Sequence, residues 1–384
     1  MNRRIIVLGS DHYNAIGVVQ SLGKENLHVI VVINNKGNDS LIAQSNYVKE
    51  LYQVQDFNEG IDLIANQLVD ESPTVIIPCG DEAALFLEKN RERLKEHFVF
   101  QYVCKNHSLY QLMDKNIQTI FAINNNIPVP VSYDVCSIPS LPKEVPFPCI
   151  IKPLLSCEGD KRDICIAFSE EELHNKVADM LQHTPRVIVQ QFIQDKSKEL
   201  NILGCSFTNG DCILPLCIEK LRVHPIGTGS VSVGMVRPFN EDELKLKDKI
   251  VSMVQEMGYV GLFSFEFIRE ERTGKSYFIE MNLRNDALNT FLVKAGINLP
   301  YLHYQDLMGE PLKEYIPTQK SLKMICEPIH MASLHHKSIN AIEWLKDIIT
   351  ADSFMLYDNN DKKIFISQFL RPLKRILKRY VVKR

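Results

Sequence analysis

The sequence predicts an α/β protein that opens with a parallel sheet covered on both faces by helices. Short apolar runs alternate with helical patterns through residues 1–105, which is the rhythm of a parallel sheet. Strand patterns then dominate from Asn201 to Arg237, and a hairpin pattern follows over 261–282. No apolar run reaches the roughly 18 residues of a membrane span.

Composition agrees with this class. At roughly 150 residues per domain, 384 residues suggest two or three domains. Lys+Arg total 44 and Asp+Glu 47, a net charge of −3, which argues against a nucleic-acid binder. Hydrophobic residues at 45% and charged residues at 24% are ordinary for a globular chain and exclude general disorder. The ten cysteines contain no C-x-x-C pair, so a zinc site is not expected. Several sit in apolar runs, where Cys packs as a small hydrophobe. The chain reads as cytoplasmic and reducing. His335-His336 reads as surface.

Taken in order, Ile5–Leu8 is the first strand rather than a signal peptide, being too short for one. Asn14 to Gly23 suits a helix. Val29–Ile33 is a strand, 57–69 a helix, Val75–Pro78 a strand, 82–95 a helix, and Phe98–Val103 closes the set. The turns after the first and third of these strands, Gly9 to Gly17 and Cys79-Gly80-Asp81-Glu82, lie at the strand ends where open α/β sheets bind ligands. The first is not G-x-G-x-x-G, which disfavours a dinucleotide site. Either the glycines merely allow tight turns, or Ser10, Asp11 and Asp81 form a substrate-facing edge.

From residue 106, a helical stretch with Lys115 ends at Ile127-Pro128-Val129-Pro130, because proline disfavours helix in the residue before it. A Pro-rich connection over 138–148 leads into the strand Cys149-Ile150-Ile151-Lys152-Pro153. A loop (154–163), a strand, a helix from Glu170 capped by Ser169 and the strand 186–190 follow. Leu244 to Met257 is helical with Gly258 as its cap. Strands 261–268 and 276–282 form a hairpin, helical segments run to about Met308, and 320–370 is mixed.

The hairpin carries the chemistry. Glu266 stands between Phe265 and Phe267, and Glu280 and Asn282 are two residues apart, so they share a strand face. Acids seldom sit unpaired in aromatic runs. Carboxylate and amide oxygens suit Mg²⁺, and Arg284 follows, placed to meet an anion. The alternative is a half-exposed hairpin with solvated acids. Lys152 ends a buried-looking strand, either as a point charge for phosphates or as a lysine reaching for water. Lys115 by itself reads as a solvated helix position, and Val187 to Ile193 as a core strand.

The order Lys115, Ile127–Pro130, Ile151-Lys152-Pro153, Val189-Gln190-Gln191-Phe192-Ile193, Glu266 and Glu280-Met281-Asn282-Leu283-Arg284 resembles the ATP-grasp superfamily over roughly 106–300. Within it the chain looks most similar to the D-aspartate ligase type of carboxylate–amine ligase. The resemblance implies an N-terminal parallel α/β domain (1–105) followed by a two-lobed ATP-grasp fold, with a first lobe over 106–188, a second lobe with the metal site over 189–330, and an extension over 331–384. It implies ATP and Mg²⁺ (or Mn²⁺) as cofactors and carboxylate and amine substrates. Lys115 and Lys152 would hold phosphates, and Gln190 to Ile193 the adenine. Glu199 would hold the ribose, with Asp195 competing. Glu266, Glu280 and Asn282 would hold the metal, and Arg284 the transferred phosphoryl group. Residues 222–237, with Arg222 and Arg237, would border the substrate pocket, unless they form a hairpin loop with surface arginines. One departure stands out: loop 154–162, glycine-rich in the family, holds one glycine here. The implied activity is acyl-phosphate ligation. Other acyl-phosphate chemistry of the carbamoyl-phosphate-synthase or carboxylase kind, or a silent nucleotide-binding module, are the alternatives.

Residues 371–384 hold seven basic and no acidic side chains. Leu373, Ile376, Leu377, Tyr380 and Val381 recur at helical spacing, a pattern that suits a membrane-surface helix or one docked on the protein itself. The reading is therefore cytoplasmic, with a contact to the inner membrane face as one use of this segment.

Overall fold

The computed structural model describes residues 3–373 except 36, 38, 155–163, 194–197, 227–228 and 271–272. Asp195, Gly227, nearly all of the phosphate-loop stretch 154–162, the hairpin tip at 271–272 and the basic run beyond Leu373 therefore lie outside the described residues.

Five parallel strands form the N-terminal sheet, in the order Val48–Val54, His28–Asn34, Arg4–Ser10, Thr74–Cys79, Phe98–Val99. Successive side chains of the first strand point to opposite faces. Ile5 and Val7 join one core with helix Tyr13–Gly23, while Ile6 and Leu8 join another with helix Phe57–Gln67. Both faces are thus covered, as a parallel sheet requires. Strand order reverses between Arg4–Ser10 and Thr74–Cys79, so the loops leaving these two strands flank a crevice.

The next unit is a four-stranded antiparallel sheet, in the order Ser132–Val135, Val187–Gln191, Cys149–Pro153, Cys165–Ala167. Helix Glu170–Met180 covers it through Leu173, Val177 and Met180. Ser169 caps this helix by accepting from the Glu172 amide.

A larger sheet follows, in the order Ser276–Asn282, Tyr259–Arg269, Lys198–Ser206, Cys217–His224, Ser230–Arg237, Leu322–Ile325, Ser353–Phe354. Its strands pair antiparallel except the last two. Helix Glu241–Met257 buries Leu246, Ile250, Met253, Val254 and Met257 against Phe263, Phe265, Phe267 and Phe278. Asn240 and Glu243 form its capping box, and Gly258 ends it at φ 67°, a left-handed conformation that glycine adopts without strain. The opposite face receives Asn289–Lys294 and Leu299–Leu307, which pack on the N-terminal domain. Close approach is enforced at Gly17, where a Cβ would lie 2.0 Å from Thr290 Oγ1.

The stretch over 320–370, mixed by sequence, supplies two strands of the large sheet and helices Glu327–His335 and Ala341–Ile349. None of the described cysteines is in a disulfide.

Candidate active site

A cleft of about 660 Å³ opens where the three sheets meet. The antiparallel sheet contributes Lys152, and helix Lys115–Asn124 contributes Lys115 from its first position. The large sheet contributes Glu199, Asn201, Lys220, Glu266, Glu280 and Asn282, and Arg284 follows its edge strand. The N-terminal domain reaches in with His12, Tyr13, Asn14 and Asp81, from the two loops at the crevice.

Strand register explains the acid cluster. Glu280 lies opposite Glu266, Glu266 opposite Asn201, and Asn282 opposite Ser264. A β-bulge makes this possible. Phe267 faces Phe278 while Glu266 faces Glu280, which leaves Ile279 as the extra residue. Without it, 278 and 280 would share a face, and Glu280 would point with Phe278 into the aromatic core. The bulge re-aims the strand, so Phe278 stays buried while Glu280 and Asn282 line the cleft.

Lys220 holds the cluster together, 2.8 Å from Glu199 and 3.3 Å from Glu266. Burial opposes its charge, but Glu266 and Glu199 outweigh that and raise its pKa above the ordinary lysine range. Burial also raises the Glu266 pKa; Lys220 opposes this and Glu280 adds to it. Across the cleft, burial and the neighbouring Lys115 push Lys152 down to about 8, against the pull of Glu280 and Glu266. Lys115 Nζ stands 3.5 Å from Glu280 and donates to the Pro153 carbonyl at 3.4 Å. The lysine that reads as solvated in isolation is 7% exposed.

Arg284 is gripped from both sides. It lies 3.0 Å from Asp81 and 3.4 Å from Asp286, and donates to Asn282 Oδ1 at 3.1 Å. Burial works against the guanidinium, and the two aspartates more than offset it, so its pKa is raised. Asn282 in turn donates to Ser264 Oγ, which donates to Asp286. The phosphoryl-facing arginine is thereby fixed before any ligand arrives.

Of the residues singled out by sequence, Lys115, Lys152, Glu199, Glu266, Glu280, Asn282, Arg284 and Asp81 meet in this cleft. Gln190, Gln191, Phe192 and Ile193 end the strand beside it. Gln190 donates to Ser132 Oγ, and the Gln191 and Phe192 amides donate to the Val131 and Pro148 carbonyls. Ser10, Asp11, Arg222 and Arg237 do not line the cleft. Asp11 instead accepts from the Leu41 and Ile42 amides. Arg237 makes a two-pronged pair with Glu243, and Arg222 pairs with Asp347. The edge therefore consists of Asp81 with His12, Tyr13 and Asn14 in place of Ser10 and Asp11. Sequence reasoning missed Lys220, Asn201 and Asp286. Asn201 is buried, with no hydrogen-bond partner for its side-chain amide.

The donor set fits Mg²⁺. Two carboxylates and an amide oxygen are hard ligands, and the described residues contain no group of three or more His, Cys, Asp or Glu that could enclose an ion alone. Such a site leaves coordination positions to phosphate oxygens and water, which is how Mg²⁺ is commonly held.

This fold and cleft define a class, a nucleotide-dependent enzyme fold with two lobes closing on a phosphate site. Residues 112–287 match the model of the ATP-grasp domain family, and the chain carries an ATP-grasp domain behind its N-terminal parallel α/β domain. Among curated proteins it is 22% identical over 258 residues to a D-aspartate ligase of Enterococcus faecium, covering 62% of this chain and 60% of that one. It is 28% identical over 227 residues to biotin carboxylase 1 of Bacillus subtilis, covering 49% of this chain and 48% of that one. The chain thus spans about half the length of these relatives. Among solved structures, an ADP complex of N5-carboxyaminoimidazole ribonucleotide synthetase superposes with a TM-score of 0.65 at 14% identity, covering 88% of this chain and 85% of that one. An L-amino acid ligase from Bacillus licheniformis gives 0.63 at 16%, covering 84% and 79%.

Proposed function

We propose that the chain is an ATP- and Mg²⁺-dependent ligase that joins a carboxylate, an amino acid in our reading, to an amine through an acyl phosphate. The observation that carries this is one cleft with two opposed walls. Lys115 and Lys152 face the row Glu266, Glu280 and Asn282, and Arg284 stands at the end toward the N-terminal domain. Amide formation in water needs an activated acid. A carboxylate oxygen attacks the γ-phosphorus of ATP and ADP leaves. The amine then attacks the acyl carbon, loses a proton, and expels phosphate.

Each step asks for positioning and charge neutralisation, with no protein nucleophile. In this reading Lys115 and Lys152 hold phosphate oxygens, and Arg284 steadies the phosphoryl group in transit. The strand end at Gln190 to Ile193 borders the adenine, and Glu199 takes the ribose. Glu266, Glu280 and Asn282 hold the Mg²⁺, which supplies neutralisation of phosphate charge. Asp81 and His12 to Asn14 border the acid and amine. The enzyme works in the cytoplasm, with peripheral membrane contact through residues 371–384.

Hydroxylamine as a generic amine tests the reading. Candidate acids, including D- and L-amino acids and bicarbonate, are incubated with ATP, Mg²⁺ and hydroxylamine. ADP release with a hydroxamate identifies the activated acid. ADP release with bicarbonate alone would favour a carboxylase-like enzyme. ATP binding without turnover on any acid would favour a silent binding module.

A further inference from the structure

Helix Ala341–Ile349 is apolar on both sides. Its inner face sets Trp344, 3% exposed, among Met331, Ile339, Phe365 and Phe369. Asp347 ties it to the large sheet through Arg222 and Lys323, at 3.1 and 2.9 Å. Its outer face presents Ile342 at 83%, Leu345 at 50% and Ile349 at 73% exposed. These lie at i, i+3 and i+7 and so form one stripe along the helix. A lone exposed isoleucine is ordinary, but three large aliphatic side chains in a row on a short helix are not.

Two neighbouring features share the face. Ile226, 75% exposed, closely follows His224, whose ring bonds Ser338 Oγ at 2.9 Å just ahead of the helix. His335, His336 and Lys337 at this approach are exposed, as is Lys346 on the helix. The exposed acid of the helix is Glu343. The chain itself returns to the back of this helix. Leu370 and Leu373 pack on the Trp344 cluster, and the next eleven residues, 374–384, carry six basic and no acidic side chains.

We propose that the outer face of helix Ala341–Ile349, together with the basic run that follows Leu373, docks on an anionic lipid surface. Ile342, Leu345 and Ile349 enter the zone below the headgroups while the lysines and arginines meet lipid phosphates. This deepens the membrane-contact reading of residues 371–384 and is independent of the chemistry in the cleft. A second copy of the chain is a poorer occupant. A stable dimer buries about 800 Å² per partner, more than this stripe offers, and the basic runs of two copies would repel each other. The face also adjoins the cleft, because Phe354 packs in the Trp344 cluster while Met355, the next residue, lines the cleft. Docking there would hold the active site close to the bilayer.

The test is co-sedimentation with vesicles of phosphatidylcholine, alone or mixed with phosphatidylglycerol, at low and high salt. The full chain is expected to pellet with the mixed vesicles at low salt and to be released at high salt. Changing Lys374, Arg375, Lys378 and Arg379 to Gln should lower partitioning roughly fivefold per charge. The double change Ile342→Asn with Ile349→Asn should lower it roughly tenfold or more, with melting temperature and ADP release unchanged. Recovery of the wild-type chain in the supernatant with mixed vesicles at low salt overturns the proposal. If charge removal releases the protein but the isoleucine variant binds like wild type, the basic run acts alone and the helix face has no part. A dimer that the isoleucine variant dissociates, without vesicle binding, assigns the face to self-association and likewise overturns it.

Discussion

Replacing Lys152 by Met should make the ligand-free protein more stable and its ATP binding weaker. The side chain is 6% exposed, and burial with the nearby Lys115 lowers its pKa from 10.5 to about 8. At pH 7 the folded protein therefore holds a charged lysine where a neutral one is favoured. The fall corresponds to about 3 kcal/mol of unfavourable interaction. Methionine fills similar space without the charge. In urea titrations the ligand-free variant should gain on the order of 2–3 kcal/mol at pH 7. The direction with pH follows from linkage. Between about 8 and 10.5 the unfolded lysine still binds its proton while the folded one has lost it, so this group's contribution is full above 10.5 and is lost as pH falls through about 8. The advantage of the variant should therefore shrink as pH rises across that window. ATP binding moves the other way. A charge-assisted contact to phosphate contributes about 1.5–3 kcal/mol, so the dissociation constant measured by calorimetry should rise on the order of 10- to 100-fold. A variant less stable than wild type at pH 7, or one that binds ATP equally well, would refute the reasoning.

Glu280→Gln should abolish turnover while leaving the melting temperature within a few degrees, since the cleft-facing position tolerates an isostere; normal Mg²⁺-dependent activity would remove Glu280 from the metal set. Lys220→Met leaves Glu199 and Glu266 without the cation that lies 2.8 and 3.3 Å away. It should cost about 3–5 kcal/mol, measured by urea titration, with part of the loss recovered on adding Mg²⁺; a Mg²⁺-insensitive loss would separate Lys220 from the metal site. Acid should weaken the fold through buried His303 and His330, whose pKa values fall from 6.5 to about 4. The folded rings stay neutral while the unfolded ones take protons, so their contribution is full above 6.5 and is lost as pH falls toward about 4, by roughly 3 kcal/mol for each ring at most. A His303→Leu variant should show a flatter stability profile across that range, and an unchanged slope would contradict the assignment.

How much was legible in the sequence depended on whether the signal was local. The N-terminal strands declare themselves as apolar runs because both sheet faces are buried. Val48–Val54 escaped because it is an edge strand, with polar side chains facing water. Helix Glu327–His335 is hard to read because its buried face is partly polar. Glu327 accepts from the Leu356 amide, and His330 meets Ser232 Oγ. Helix Ala341–Ile349 hides because apolar residues fall on both of its sides. At the site, Glu266 and Glu280 stand out as acids inside aromatic runs. Lys220 and Asn201 become visible only through cross-strand register, which no local pattern encodes. Asp11 and Arg237 drew attention as charges near glycines, yet they serve as a cap and an internal ion pair.

The central claim is that Lys115 and Lys152 on one wall, and Glu266, Glu280 and Asn282 on the other, form a single Mg²⁺–nucleotide site. A crystal structure of the protein with ADP and Mg²⁺ tests it most directly. The account predicts a metal at about 2.1 Å from oxygens of Glu266, Glu280 and Asn282, with the diphosphate against Lys115 and Lys152. Lys220 should then have moved away from Glu266. A nucleotide bound elsewhere, or an ion held by other residues while the Lys220–Glu266 pair persists, would contradict it.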